Sequence, residues 1–182
     1  MPRRRATGAR SLDTDSNFAR WQASLPSAYR RAVIEGTDII LIHQLLGRYG
    51  HTIDHRDWDA FADLFVPDAS IDYRGATSTT ECHGIDDILG YFRDANHPPA
   101  HHVTNIVVDE HADKAGPVDV HSKFLAPFTR ESHTPKRWYG GDYHDIVVKT
   151  AGGWRFTFKQ CLPRWQFSVV VDDDAPEHRR TF

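Results

Sequence analysis

The residues best suited to acid–base chemistry are Asp54 and two adjacent histidines, His101 and His102. Histidine is the side chain whose ordinary pKa lies nearest neutral pH, and the chain contains 12 of them. An imidazole supported by a carboxylate can take a proton from carbon and return it to a departing group. Each residue also has a purely structural interpretation. Asp54 could cap a following helix, although Asp57 is equally placed for that role, and a buried histidine can simply bond a neighbouring carbonyl.

Two tyrosines accompany these residues. Tyr49 lies on an apolar helical stripe, and Tyr73 lies at the end of the first predicted strand. Aromatic residues at such positions usually belong to the core, but a buried hydroxyl still needs a hydrogen-bond partner. A pocket is one place where such a hydroxyl finds one.

Other site types have weaker support in the sequence. His51 and His55 are four residues apart, as in metal-binding helices, but the glutamate of zinc hydrolases is missing between them and the helix should end there. The remaining histidines in the second half of the chain show no compact ligand spacing: His111, His121, His133 and His144. There is no nucleophile-elbow motif and no phosphate-binding glycine loop. We therefore expect neither a metal nor a cofactor.

Composition limits the class of protein. The 182 residues carry a net charge of -3, which gives no reason to expect a nucleic-acid partner, and 40% are hydrophobic. Cys82 and Cys161 match no metal or redox spacing, so free thiols in a reducing compartment are expected. No apolar run approaches the ~18 residues of a membrane span, and no hydrophobic segment follows the basic start. These features predict a cytoplasmic protein without a membrane partner.

Hydrophobic periodicity predicts helices first and strands later. An interrupted stripe covers residues 17–33, and a clear amphipathic helix runs from Thr37 to Ile53. A short helix follows over residues 57–65, ended by Pro67, and another over residues 84–93.

Strands are predicted at 69–74, 101–109, 118–129, 138–149 and 154–167, with a hairpin turn between the last two. This order indicates an α+β domain rather than a βαβ unit. We expect the domain to span residues 17–171, between a disordered basic tail (1–16) and a charged tail (172–182). Successive strand residues point to opposite faces, so only one of His101 and His102 can enter a pocket. The composition of the two faces does not decide which.

Four segments carry a family resemblance: Leu46–Ala69, His101–Asn105, Gly141–Asp145 and Gly153–Phe156. Over about residues 35–165 the chain resembles SnoaL-like domains of the nuclear-transport-factor-2-like superfamily. The resemblance implies a cone in which a bent antiparallel sheet wraps over three or four helices and encloses a pocket. It is less specific for the reaction, because this fold hosts dehydratases, isomerases, cyclases, epoxide hydrolases and non-catalytic binders.

Within that superfamily the chain is similar to a branch containing scytalone dehydratase, bile acid 7α-dehydratases and hexachlorocyclohexane dehydrochlorinase, which use an Asp–His pair without a cofactor. Asp54 and His102 are 48 residues apart (102 − 54), as in the bile acid and dehydrochlorinase members. Tyr49 and Tyr73 occupy positions where relatives carry polar or tyrosine residues. The resemblance therefore implies His102 as the base, Asp54 as its orienting carboxylate, and both tyrosines as donors to a carbonyl or leaving oxygen.

The expected activity is a cofactor-free, dehydratase-type elimination on a cyclic hydrophobic molecule such as a steroid, polyketide or terpenoid. The expected substrate contacts are Trp58, Phe61, His101, Tyr143 and Arg164, the last as the nearest candidate for a late arginine of the branch. The resemblance also implies a homodimer or homotrimer formed through the outer sheet face. The alternatives are enone isomerisation, epoxide opening, or a non-catalytic binding or supporting subunit with a filled interior.

Overall fold

The structure, a computed structural model, describes residues 34–73, 81–109, 116–128 and 136–169. The helices are α1 (Gly36–His55), α2 (Trp58–Ala62) and α3 (Ile85–Asp94). The strands are β1 (Phe65–Asp72), β2 (Glu81–His83), β3 (His102–Asp109), β4 (Val118–Phe128), β5 (Lys136–Thr150) and β6 (Gly153–Val169). The helical stripe predicted at 17–33 and both predicted tails lie outside the described residues.

The six strands form one bent sheet in the order β2-β1-β6-β5-β4-β3. Strands β1 and β6 run parallel, and every other neighbouring pair is antiparallel. Helix α1 contacts β3 and β6, while α3 contacts β1 and β2, so the helices and the sheet enclose the interior of a cone. The predicted α+β class and cone architecture are confirmed.

Helix α1 is amphipathic as predicted, because Ile42, Leu46, Tyr49 and Ile53 recur on one face and are all buried. It ends at His55, and the next residue, Arg56, adopts a left-handed conformation (φ 58°) that caps the helix. The next helix, α2, begins at its own cap.

That cap is Asp57, whose side chain accepts a hydrogen bond from the Ala60 amide at 3.1 Å. Asp54 therefore does not cap α2, and its carboxylate is free for another partner.

The chain leaves α2 earlier than predicted. The helix ends at Ala62, and Phe65 and Pro67 belong to β1. The register of β1 against β6 shifts between Phe65 and Ser70, and Pro67 and Asp68 are exposed at this irregularity. A proline is tolerated there because its missing N–H interrupts no ladder hydrogen bond. Strand β2 was not predicted, since its three residues are too few to show a period.

The later strands agree with prediction to within a few residues. The hairpin between β5 and β6 turns at residues 150–153, where Gly153 has φ of 104° and the Thr150 hydroxyl donates to the Gly153 carbonyl at 2.7 Å. These two strands are the longest in the sheet, with 15 and 17 residues. Their central residues form one wall of the interior cavity.

Candidate active site

A cavity of about 400 Å³ opens into the interior of the cone. Its walls are mostly rings, contributed by α3, β4 and β5: Tyr91, Phe92, Phe124, Phe128 and Tyr139. Polar and titratable side chains also reach it: Tyr49, Tyr73, Tyr143, His97, His101 and Cys161. An apolar cavity of this size with a few converging polar groups is the usual form of a small-molecule site.

Asp54 and His101 form a close pair at this cavity. The His101 ring nitrogen Nδ1 lies 2.6 Å from Asp54 Oδ1, and the His101 backbone amide donates to Oδ2 at 3.1 Å. Both side chains are largely buried, with 8% of His101 and 17% of Asp54 exposed. Because an ionised carboxylate can only accept a hydrogen bond, His101 Nδ1 must carry the proton that it donates to Asp54. In the neutral ring, Nε2 then has no proton and presents a lone pair.

The approach of α1 to His101 depends on a glycine. Gly50 lies one turn before Asp54, and a Cβ built on it would stand 2.9 Å from the His101 carbonyl oxygen. Any larger residue would push the segment carrying His101 away from the helix. Gly50 was not predicted as a site residue. The sequence signal for it was a glycine inside an otherwise regular helical pattern.

Burial sets the protonation state of His101. Loss of solvent lowers the pKa of His101 below its ordinary value, and the hydrogen bond to Asp54 opposes this shift without cancelling it. The imidazole is therefore neutral at pH 7. A neutral ring with its Nδ1 proton held by a carboxylate is ready to accept a proton at Nε2.

A second histidine, His97, was not predicted and also lines the cavity. Its ring stacks on Phe92 with centroids 5.3 Å apart and an interplanar angle of 3°, and Nε2 lies 2.6 Å from the Phe92 carbonyl oxygen. Burial lowers the pKa of His97 to about 4, so this ring is also neutral at pH 7. Its centroid lies 6.2 Å from that of His101.

The predicted pairing of Asp54 with His102 is wrong, and the partner is His101. His102 is the first residue of β3, is paired with Leu125 of β4, and is exposed. Adjacent residues of an extended chain point to opposite sides, so a difference of one position moves the side chain from the cavity to the outside. The separation of the pair is therefore 47 residues.

Tyr49 and Tyr73 lie together at the cavity. The hydroxyls of Tyr49 and Tyr73 are hydrogen-bonded to each other, and the Tyr143 ring lies 6.0 Å from that of Tyr49. Burial raises the pKa of all three hydroxyls well above their usual range, so they remain protonated donors. One hydroxyl of the Tyr49–Tyr73 pair donates to the other, and the Tyr143 hydroxyl is also hydrogen-bonded to Tyr49, so the three hydroxyls together retain one proton for a ligand.

Three predicted substrate contacts lie elsewhere. Phe61 is fully buried in the core, and Trp58 packs on Phe61 and His97, each at 6.0 Å between ring centroids. Arg164 is exposed and donates to Asp142 at 2.8 Å. None of the three lines the cavity. Arg164 points outward because successive residues of a strand alternate in direction and its β6 neighbour Pro163 faces inward. Tyr143, another of the predicted contacts, lines the cavity.

Within the described residues, no group of three or more His, Cys, Asp or Glu side chains is arranged to hold a metal ion. The rings of His51 and His55 are 6.1 Å apart, and His55 Nδ1 bonds the His51 carbonyl oxygen at 2.8 Å. Among the same described residues, no helix combines the length and apolar character needed to cross a membrane.

Residues 36–159 match the SnoaL-like domain family. The chain belongs to this family. A comparison with curated proteins finds no match. The family predicted from the four sequence segments is thus confirmed.

Solved structures with the same fold carry several different names. A candidate scytalone dehydratase from Novosphingobium aromaticivorans is 22% identical, with a TM-score of 0.63, over 74% of this chain and 89% of that chain. A hexachlorocyclohexane dehydrochlorinase of type 3 from Novosphingobium barchaimii is 14% identical, with a TM-score of 0.62, over 74% and 94%. A candidate aromatic ring hydroxylase from N. aromaticivorans is 22% identical, with a TM-score of 0.64, over 75% and 96%. At these identities the likeness establishes the fold, and the reaction must be argued from the site.

Proposed function

We propose that the protein is a cofactor-independent lyase that eliminates water from a cyclic hydrophobic molecule, with Asp54 and His101 as its acid–base pair. The observation that carries this proposal is the neutral, carboxylate-oriented imidazole of His101 at the edge of an aromatic cavity. A base for the proton and an acid for the departing hydroxide are the two requirements of such an elimination, and one imidazole supplies both in turn.

The proposed reaction begins when the substrate carbonyl accepts a hydrogen bond from the tyrosine pair. His101 Nε2 then takes the proton from the carbon next to the carbonyl, and the released electron pair moves onto the carbonyl oxygen to give an enolate. In the second step that electron pair returns to form the new carbon–carbon double bond. The hydroxyl on the neighbouring carbon leaves with the proton that His101 returns, so water is formed and the imidazole is again neutral. Asp54 stabilises the imidazolium between these two steps.

The shape and chemistry of the cavity support the substrate class. Its walls are rings, and its volume of about 400 Å³ suits a small molecule of two to four fused rings or an equivalent skeleton. The structurally similar proteins include two whose names denote eliminations, a candidate scytalone dehydratase and a dehydrochlorinase. An open cavity with converging polar groups also argues against a supporting subunit, whose interior would be filled.

The proposal is tested with bicyclic β-hydroxyketones of the tetralone type, whose dehydration gives a naphthol, alongside steroid and terpenoid β-hydroxyketones. Wild-type protein and His101→Asn are compared by product absorbance and by mass spectrometry. Loss of water that is fast with wild type and at least ~10²-fold slower with the variant supports elimination. Equal rates would refute the pair. A β,γ-unsaturated steroid ketone is included as a further substrate, and its conversion to the conjugated ketone without dehydration of any β-hydroxyketone would replace the lyase with an isomerase.

A further inference from the structure

A buried ion pair lies directly behind the tyrosines. Lys159 of β6 and Asp145 of β5 have side chains that are 0% exposed, and the lysine Nζ donates to both carboxylate oxygens at 3.1 and 3.0 Å. Removing two charges from water is costly, and replacing such a pair with apolar residues is often neutral or stabilising. Stability alone is therefore a poor explanation for this pair.

The position of the ammonium group points to a role at the cavity. Lys159 Nζ lies 3.8 Å from the centre of the Tyr143 ring and 4.2 Å from the centre of the Tyr49 ring. Both rings line the cavity, whereas Lys159 does not. Among the described residues, the cavity-lining rings in contact with Nζ are these two. The charge of the lysine also acts across space, where it adds to burial in lowering the pKa of His101 and opposes the effect of burial in raising the pKa of Cys161.

The geometry is that of an ionised pair, since the lysine Nζ bonds both oxygens of the Asp145 carboxylate. Burial raises the pKa of Asp145 to about 6, against the opposing effect of Lys159, so the carboxylate is ionised at pH 7. Burial also lowers the pKa of Lys159, and the attraction of Asp145 opposes that shift. An ionised carboxylate holding the ammonium in place gives the two rings a fixed cation.

We infer that Lys159 is a positioning residue that acts through the rings of Tyr49 and Tyr143 to make the cavity a binding site for an oxyanion, of the enolate or phenolate class. A cation on a ring face stabilises the negative charge that grows on a phenolic oxygen as its proton is shared with a ligand. Asp145 acts in the opposite direction and adds to burial in raising the pKa of both tyrosines, but the ammonium is the charge that lies on the ring faces. The hydroxyls become stronger donors to an anion than to a neutral oxygen. The inference rests on the proposed function, because an enolate oxygen is the anion that forms there.

The test uses para-nitrophenol, at a pH well above its own pKa so that it is a phenolate, and nitrobenzene as its uncharged counterpart. The main variant, Lys159→Met combined with Asp145→Leu, removes both charges so that neither is left buried alone. The ratio of the two dissociation constants is measured by absorbance and calorimetry. We expect wild type to bind the phenolate more tightly than nitrobenzene. In the double variant the ratio of the two affinities should fall roughly 3- to 30-fold, which corresponds to the strength of a desolvated cation–π contact.

Two controls separate this inference from its alternatives. Lys149→Met removes a half-exposed lysine that pairs with Asp38 at 2.8 Å, and it should leave the preference unchanged. His101→Asn should abolish turnover but keep the preference for phenolate. Turnover in His101→Asn therefore tests the proposed elimination, and the affinity ratio of the double variant tests oxyanion binding separately. A folded double variant with the wild-type ratio, or a wild type without any preference for phenolate, overturns the inference.

A second set of variants leaves the ion pair intact in case the double variant does not fold. Tyr143→Phe and Tyr49→Phe each remove a hydroxyl from a ring under Lys159, and each should lower the preference for phenolate. Tyr139→Phe removes the hydroxyl of a half-buried tyrosine that lines the same cavity but has no contact with the lysine. An equal loss in Tyr139→Phe contradicts a role for the lysine.

Discussion

Replacing His101 with asparagine separates the base from its structural role. An asparagine amide can still donate to Asp54 in place of Nδ1–H, but it has no basic nitrogen at the position of Nε2. General acid–base catalysis contributes ~10²–10⁴-fold, so kcat/KM should fall by that factor, equivalent to about 3–5 kcal/mol of transition-state free energy. Because the Asp54 bond and the backbone bond are retained, the free energy of unfolding should fall by only about 1–2 kcal/mol.

The matched control is His102→Asn, one residue along the chain on the exposed face of β3. It should change kcat/KM by less than about twofold, as expected for a surface substitution away from the site. Initial rates of tetralone dehydration measure the activity, and thermal unfolding shows that both variants are folded. The assignment of the base is refuted if His102→Asn loses as much activity as His101→Asn, or if His101→Asn retains full activity.

Three further predictions concern the surroundings of this pair. Burial lowers the pKa of His101, so kcat/KM should rise with pH on an acid limb whose midpoint lies below the ordinary histidine value of about 6.5; a midpoint above it would contradict the assignment. Gly50→Ala places a Cβ 2.9 Å from the His101 carbonyl oxygen, so it should lower the free energy of unfolding by about 1–3 kcal/mol and remove most of the activity. Its control is Gly47→Ala, whose Cβ meets nothing within 4 Å and should stabilise the helix by up to about 1 kcal/mol. His97 has a pKa of about 4 when folded and about 6.5 when unfolded, so the native state binds fewer protons between these values and stability is lost as pH falls from about 6.5 to about 4. After allowance for partial solvent screening, this loss in the free energy of unfolding should be about 1–3 kcal/mol. It should be absent in His97→Phe, as measured by urea unfolding at pH of about 6.5 and about 4.

The parts of the site that lie on regular elements were predictable from the sequence. Tyr49 follows from the helical stripe of α1, and the release of Asp54 follows from Asp57 being as well placed to cap α2. Tyr73 follows from its position at the end of a strand. For these residues the local period and the capping rules determine which way the side chain points, so no knowledge of distant parts of the chain is needed.

The parts that depend on where one element meets another were not predictable. Whether His101 or His102 faces inward depends on which residue begins the β3 ladder, and one step reverses the answer. The basic residue in contact with the cavity tyrosines is Lys159 and not Arg164, because β6 turns Arg164 outward and places Lys159 behind two tyrosine rings. A lysine in a strand gives no sign in sequence that it will be fully buried with a carboxylate.

The sequence by itself determined the order of the longer elements, the family, and Asp54 with two adjacent histidines as side chains able to move a proton. The tertiary structure alone decided which of them meet, because contacts such as Asp54–His101 and Lys159–Tyr143 join residues on separate elements. Side-chain direction within one helix or strand follows from its own period. The distance between two elements follows from packing. Here α1 and the segment carrying His101 can approach closely because Gly50 has no Cβ.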